Sequence, residues 1–244
     1  MFRHQGKGRT FKHNLRIATV LSFVAGIVNV TGFLAIRQLT TNVTGHFALF
    51  IFDFENFKFW KGAIYFLYIF SFLFGSFASS FMIEYFKETK KLNVFVLPTL
   101  LEVFILLAVT GFYNITDLSY PNIIACSLLF AMGLQNSFVT KISNAVVRTT
   151  HLTGLFTDLG IELSQLFFPE THPRRDKIKA TIKLRIFIIS FFFWGGITAG
   201  FLYSAIGLKT NTLLLAAIIL LTSLFYDDLR FRLIMARRKH LQGR

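Results

Sequence analysis

Apolar runs separated by short basic or polar breaks dominate the chain. Six are clear: Ile17 to Ile36, Gly62 to Ile83, Leu92 to Tyr113, Pro121 to Thr140, Leu184 to Ile206 and Thr212 to Tyr226. Most approach the roughly 20 residues that cross a bilayer core about 30 Å thick, and together they are too many for one soluble core to bury. The pattern predicts an all-α integral membrane protein with six transmembrane helices. Pro121 suits the first turn of a helix, where its missing N–H is not needed.

Two more polar stretches remain between the runs, "LTTNVTGHFALFIFDFENF" and "RTTHLTGLFTDLGIELSQLF". They belong to an internal repeat. At an offset of 107, "LSFVAGIVN" aligns with "LLFAMGLQN", pairing Leu21 with Leu128, Phe23 with Phe130, Gly26 with Gly133 and Asn29 with Asn136. A slip of two residues then sets "TTNVTGHF" on "TTHLTGLF" at an offset of 109, with five identities in eight. Further on, "FLFGSFASSF" meets "FFWGGITAGF" at an offset of 120, pairing Gly75 with Gly195 and Phe81 with Phe201. Each half therefore runs helix, polar segment, helix, helix.

The first polar segment, Thr40 to Phe54, is 15 residues, with Asp53 and Glu55 at its end. That is roughly 22 Å of helix at about 1.5 Å per residue, short of a crossing. The second is long enough, but two mid-segment carboxylates facing lipid would cost roughly 5 to 7 kcal/mol. Both are expected to be half-helices or re-entrant segments, which leaves three crossings per half. An odd number inserts the halves upside down relative to each other, a 3+3 inverted-topology repeat. The expected organisation is a basic cytoplasmic N-terminus at 1–16, repeat 1 at 17–113, an external connection at 114–120, repeat 2 at 121–226 and a basic cytoplasmic C-terminus at 227–244.

Composition agrees with the class, since only 16% of residues are charged against 54% hydrophobic, and mean hydropathy is +0.57. The net charge of +14 raises the question of nucleic acid. Its distribution answers otherwise. Arg3, Lys7, Arg9, Lys12 and Arg16 precede the first run; Lys87, Lys90 and Lys91 fill one connection; Arg174 to Arg185 fill another; Arg230 to Arg244 close the chain. Basic clusters flanking apolar segments are the positive-inside pattern, with no nucleic-acid partner implied. The single cysteine, Cys126, lies in an apolar run and supports neither a disulfide framework nor a thiolate metal site.

Candidate chemistry gathers in the repeated polar segments. Half-helices starting near Thr41, Asn42, Thr44 and Gly45 and near Thr150, Thr153 and Gly154 would turn unpaired N–H groups and a partial positive charge towards a site near the midplane. Asn29 and Asn136 would add amides from the preceding helices. His151, Leu155, Asp158, Glu162 and Gln165 step by three or four and form one helical stripe. Its carboxylates either serve a solute or ion path or pair with Arg148 or Lys141. Packing accounts equally well for the small residues, the glycines above all.

"AMGLQN" with "VVRTTHLTGLFTDLGIEL", and "VAGIVNVTGFLAIRQLTTNVTGH" in the first half, resemble the YoaK family of bacterial multi-pass membrane proteins, a domain of unknown function. The resemblance covers nearly the whole chain and implies an inner (plasma) membrane protein of about six helices. The family pattern has Asp at the place of Asn29 and Asn at that of His46. It brings no substrate, activity or cofactor.

The repeat favours a small transporter or channel for a small polar or anionic solute, with the lipid bilayer as its other partner and room for a homo-oligomer. A non-transporting scaffold or accessory subunit is the alternative. An enzyme fits less well: the zinc, nucleophile-elbow and phosphate-loop motifs are missing, and a metal site from His46, His151 and Asp158 is the weaker reading of those residues.

Overall fold

The computed structural model describes residues 10–89, 94–116, 120–168 and 175–226, and every regular element among them is helical. Most of the basic N-terminus (1–9), Lys90 and Lys91, 117–119 of the connection, Arg174 and the basic C-terminus lie outside the described residues. The helices are α1 (Phe11–Ile36), α2 (Val43–Glu55), α3 (Phe59–Thr89), α4 (Val96–Thr116), α5 (Pro121–Ser143), α6 (Leu152–Leu166), α7 (Arg175–Gly200) and α8 (212–226). A π-helical turn, Phe201–Ala205, extends α7, and a 3-10 turn, Lys209–Asn211, leads into α8. Among the described residues six helices are long and apolar enough to cross a membrane, and they correspond to the six runs read from the sequence. Between them α2 and α6 have only 13 and 15 residues, too short to span.

The repeat is visible in the backbone. α1 ends at Arg37 and α5 at Asn144, equivalent positions that both take the left-handed conformation, at φ 55° and 53°. Ala145, also left-handed at φ 62°, follows in the second half, where the alignment slips by two residues.

Packing exchanges helices between the halves. α1 lies chiefly on α7 and α5 chiefly on α3. At the crossings the backbones touch: a Cβ on Gly26 would collide with the carbonyl of Phe192, one on Gly195 with that of Phe23, one on Gly133 with that of Phe72 and one on Gly75 with that of Phe130. These are two copies of one contact, since Phe23 answers to Phe130 and Phe72 to Phe192 in the repeat. Small residues give membrane helices the close approach on which van der Waals packing depends. Buried shares of 61% for α1 and α5, against 22% for α3 and 17% for α7, put α1 and α5 at the centre.

Helix directions follow from the bonds. Tyr68 meets Asn122, Ser76 the carbonyl of Gly133 and Glu84 the ammonium of Lys141, so α3 and α5 run parallel. Between α1 and α5 the order reverses: Gln135 donates to the carbonyl of Leu21, whereas Gly32 faces Leu128. The central pair is antiparallel. Consequently α2, which follows the end of α1, and α6, which follows the end of α5, lie at opposite ends of the bundle.

The outer surface carries many of the 32 phenylalanines. On α3, Phe70, Phe74, Phe77, Phe81 and Tyr85 stack as an exposed ladder with centroids 6.0 to 6.5 Å apart. An apolar face of that length suits lipid rather than water.

Candidate functional site

Each polar segment is fastened to the helix before it by the same bond. Thr41 Oγ1 donates to Asn29 Oδ1 at 2.7 Å, and Thr150 Oγ1 donates to Asn136 Oδ1 at 2.8 Å. A second, deeper pair accompanies them: buried Thr40 donates to the carbonyl of Val28 at 3.2 Å, and buried Thr149 accepts from Gln135 Nε2 at 3.2 Å. Val28 and Gln135 are repeat equivalents. The double threonine is thus a hinge pin at the entrance of each half-helix.

The helix caps stand one residue later than a threonine cap would require. Asn42 is the N-cap of α2 and accepts from Thr44 N at 3.0 Å and Gly45 N at 3.4 Å. Its equivalent His151 occupies the N-cap of α6 and makes no side-chain cap bond. The imidazole lies over Gly154 instead, where an added Cβ would meet its ring at 2.7 Å. Thr44 and Thr153 are exposed in the first turns. The first turn of α6 therefore offers N–H groups with no side-chain acceptor.

The candidate residues form two groups rather than one. Asn29, Thr41, Asn42, Thr44, Gly45 and His46 gather around the start of α2; Asn136, Thr150, His151, Thr153, Gly154 and Asp158 gather around the start of α6. Gln135 faces Leu21, and Asn29 is eight residues further along α1, so the two Asn–Thr clasps are offset by roughly 12 Å along the bundle.

Beside the start of α6 opens a cleft of about 370 Å³, lined by Arg148, His151, Gly154, Asp158, Thr181 and Arg185 among others. The helical stripe is real: Leu155 is buried, while Asp158 and Glu162 converge on one cation. That cation is Arg185 of α7, not Arg148 or Lys141. Its Nε and Nη2 donate to the two oxygens of Glu162 at 2.8 and 2.9 Å, and Nη1 donates to Asp158 Oδ2 at 2.9 Å. Lys141 is engaged by Glu84 at 2.6 Å. Charge counting absorbed Arg185 into a basic loop, yet it stands within α7. The repeat carried the missing signal, because the 120-residue offset puts Arg185 opposite Tyr65, inside a helix.

At the other end, His46 is fully buried. Its Nε2 donates to the carbonyl of Leu39 at 2.7 Å, and its ring lies 5.1 Å from that of Tyr68 and 6.0 Å from that of Tyr65. Burial lowers the imidazole below its ordinary range, only partly offset by the Leu39 bond. His46 and His151 do not share a site, and no three His, Cys, Asp or Glu gather as metal ligands among the described residues.

The family described as Protein of unknown function (DUF1275) matches residues 17–226. No curated protein and no solved structure matches the chain.

Proposed function

The chain belongs to the DUF1275 family of proteins of unknown function, and we propose that it is a small transporter or channel for a polar or anionic solute. The observation that carries this reading is the open N-terminus of α6, facing a cleft with Arg148, where Arg185 is already paired with Asp158 and Glu162. Oriented N–H groups beside the Arg148 guanidinium favour an anion or an electron-rich polar group. The solute path follows α1 and α5 between the halves, past Asn136–Thr150 at one level and Asn29–Thr41 at the other.

The halves form an inverted repeat of three crossings each. The antiparallel central pair and the half-helices at opposite ends support this arrangement, which is common among secondary transporters. With both basic termini cytoplasmic, the α6 cleft opens inwards and α2 lies on the outer side. The resemblance to a bacterial family supports an inner-membrane location. The reading is non-enzymatic and requires no cofactor.

Single cysteines at Lys90, Asn114 and Lys209, with Cys126 replaced, test the arrangement. Labelling of Asn114 and Lys209 from outside with Lys90 protected is expected; the converse pattern overturns it. Function is tested by flux of small anions and neutral polar solutes into proteoliposomes. Thr150→Val with Asn136→Leu should cut flux at least tenfold with inserted protein unchanged. Folded wild-type protein that passes none of the solutes would favour a scaffold.

A further inference from the structure

Glu102 is the only charged residue of α4 and has no part in the clasps or the cleft. It is fully buried, and neither carboxyl oxygen has a hydrogen-bond partner among the described residues. The position is roughly 9 Å along α4 from Val96 at about 1.5 Å per residue, on a buried stripe with Phe95, Thr99, Val103 and Leu106. Thr99, the nearest hydroxyl along that stripe, donates to the carbonyl of Phe95 at 2.8 Å.

Among the described residues, the elements packed on α4 place no counter-charge on Glu102. On α5 the only cation is Lys141, held by Glu84 at 2.6 Å. On α3, Lys61 stands near the start, while Glu84 and Lys87 near the end pair with each other at 3.7 Å. Lys209 is in the turn that meets the far end of α4, where Thr110 approaches the carbonyl of Thr210, and α8 has no charged residue. Among other titratable groups, Cys126 on α5 and Tyr65, Tyr68 and Tyr85 on α3 make no hydrogen bond with Glu102. An unpaired carboxylate at such a depth costs several kcal/mol. A metal cation bound there would need several oxygen ligands, which the surrounding side chains do not supply. A proton needs none.

We propose that Glu102 is an exchangeable proton-binding site within the membrane domain. In the buried state the carboxyl group carries its O–H bond; when helix movement admits water, that bond breaks, the proton passes to water and the carboxylate remains until it is re-protonated. This inference stands without the transport reading, and it gives the protein a means of responding to a proton gradient.

Infrared spectroscopy of the wild-type protein in lipid tests it. At neutral pH a carboxylic-acid carbonyl band absent from Glu102→Gln is expected, shifting in D2O and disappearing reversibly on alkalinisation while the helical amide signal persists. Glu102→Asp should retain a displaced band. Should the variants fail to fold, an apolar carbodiimide on wild-type protein provides the second measurement, with a mapped adduct on Glu102 that forms at least tenfold more slowly at alkaline pH. Absence of both band and adduct means an ionised Glu102 and overturns the proposal. So does a band unmoved by D2O and pH in folded protein, which marks a sealed structural acid.

Discussion

The two half-helices share a backbone plan and differ in chemistry. α2 folds back on α3, with His46 under Tyr65 and Tyr68 and Phe50 against Phe66. α6 folds back on α7, but Arg185 stands where the repeat has Tyr65, Asp158 where it has Leu49 and Glu162 where it has Asp53. One hairpin is closed by aromatic rings and a capped N-terminus; the other is latched by ions and left open at its N-terminus. Duplication preserved the clasp that positions each segment while its surroundings diverged. Where both copies agree, the geometry is the same; where they differ, the two ends differ in chemistry.

The crossings are where the copies agree most closely, so substitutions there should have the largest and most equal effects. Gly26→Leu and Gly133→Leu each drive a side chain into a facing carbonyl. Overpacking typically costs about 1 to 3 kcal/mol, and a backbone obstacle cannot yield as a side chain can. Both variants should lose most of their folded protein in detergent, measured by size-exclusion chromatography. Loss at one crossing alone would break the equivalence.

Next in size is the ionic latch. Arg185→Gln leaves Asp158 and Glu162 without their shared cation, and stranding partly buried charge costs on the order of 2 to 5 kcal/mol. Tyr65→Phe, at the equivalent place, removes only a hydroxyl and should cost under about 0.5 kcal/mol. A cysteine at the buried Leu155 should react at least tenfold faster with a thiol reagent in the Arg185 variant and at an unchanged rate in the Tyr65 variant. Similar rates in both would mean that the ion pairs do not hold α6.

Much of this was legible in the sequence, because periodicity and self-similarity are local properties. The six runs coincide with the six long helices, and the identities at Thr40, Thr41, Thr44 and Gly45 located both half-helices to within a few residues. What escaped was long-range or depended on one side chain's rotamer. In "TTN" and "TTH" several consecutive residues are competent caps, and only the fold decides that threonine pins the preceding helix while Asn42 caps. Arg185 pairs across 23 and 27 residues, a distance that charge clustering along the chain cannot register. Glu102 could have been noticed as a lone acid within a span, but its lack of a partner is a property of packing.

The smallest effects separate the two N-termini. Asn42→Ala removes two cap bonds and should cost about 1 kcal/mol, whereas His151→Ala removes none and should change stability by less than about 0.5 kcal/mol. Their difference in thermal denaturation measures how much more firmly α2 is closed. The reverse exchange is more informative. His151→Asn sets the cap of α2 on α6, and asparagine there can accept from the first-turn N–H groups of α6, stabilising it by about 0.5 to 1 kcal/mol. If those groups exist to meet a solute, the same substitution occupies them, so a more stable protein should show flux reduced several-fold. Stability and flux rising together would mean that the open N-terminus is only an imperfect cap, and the difference between the two ends would then lie in Arg185 alone.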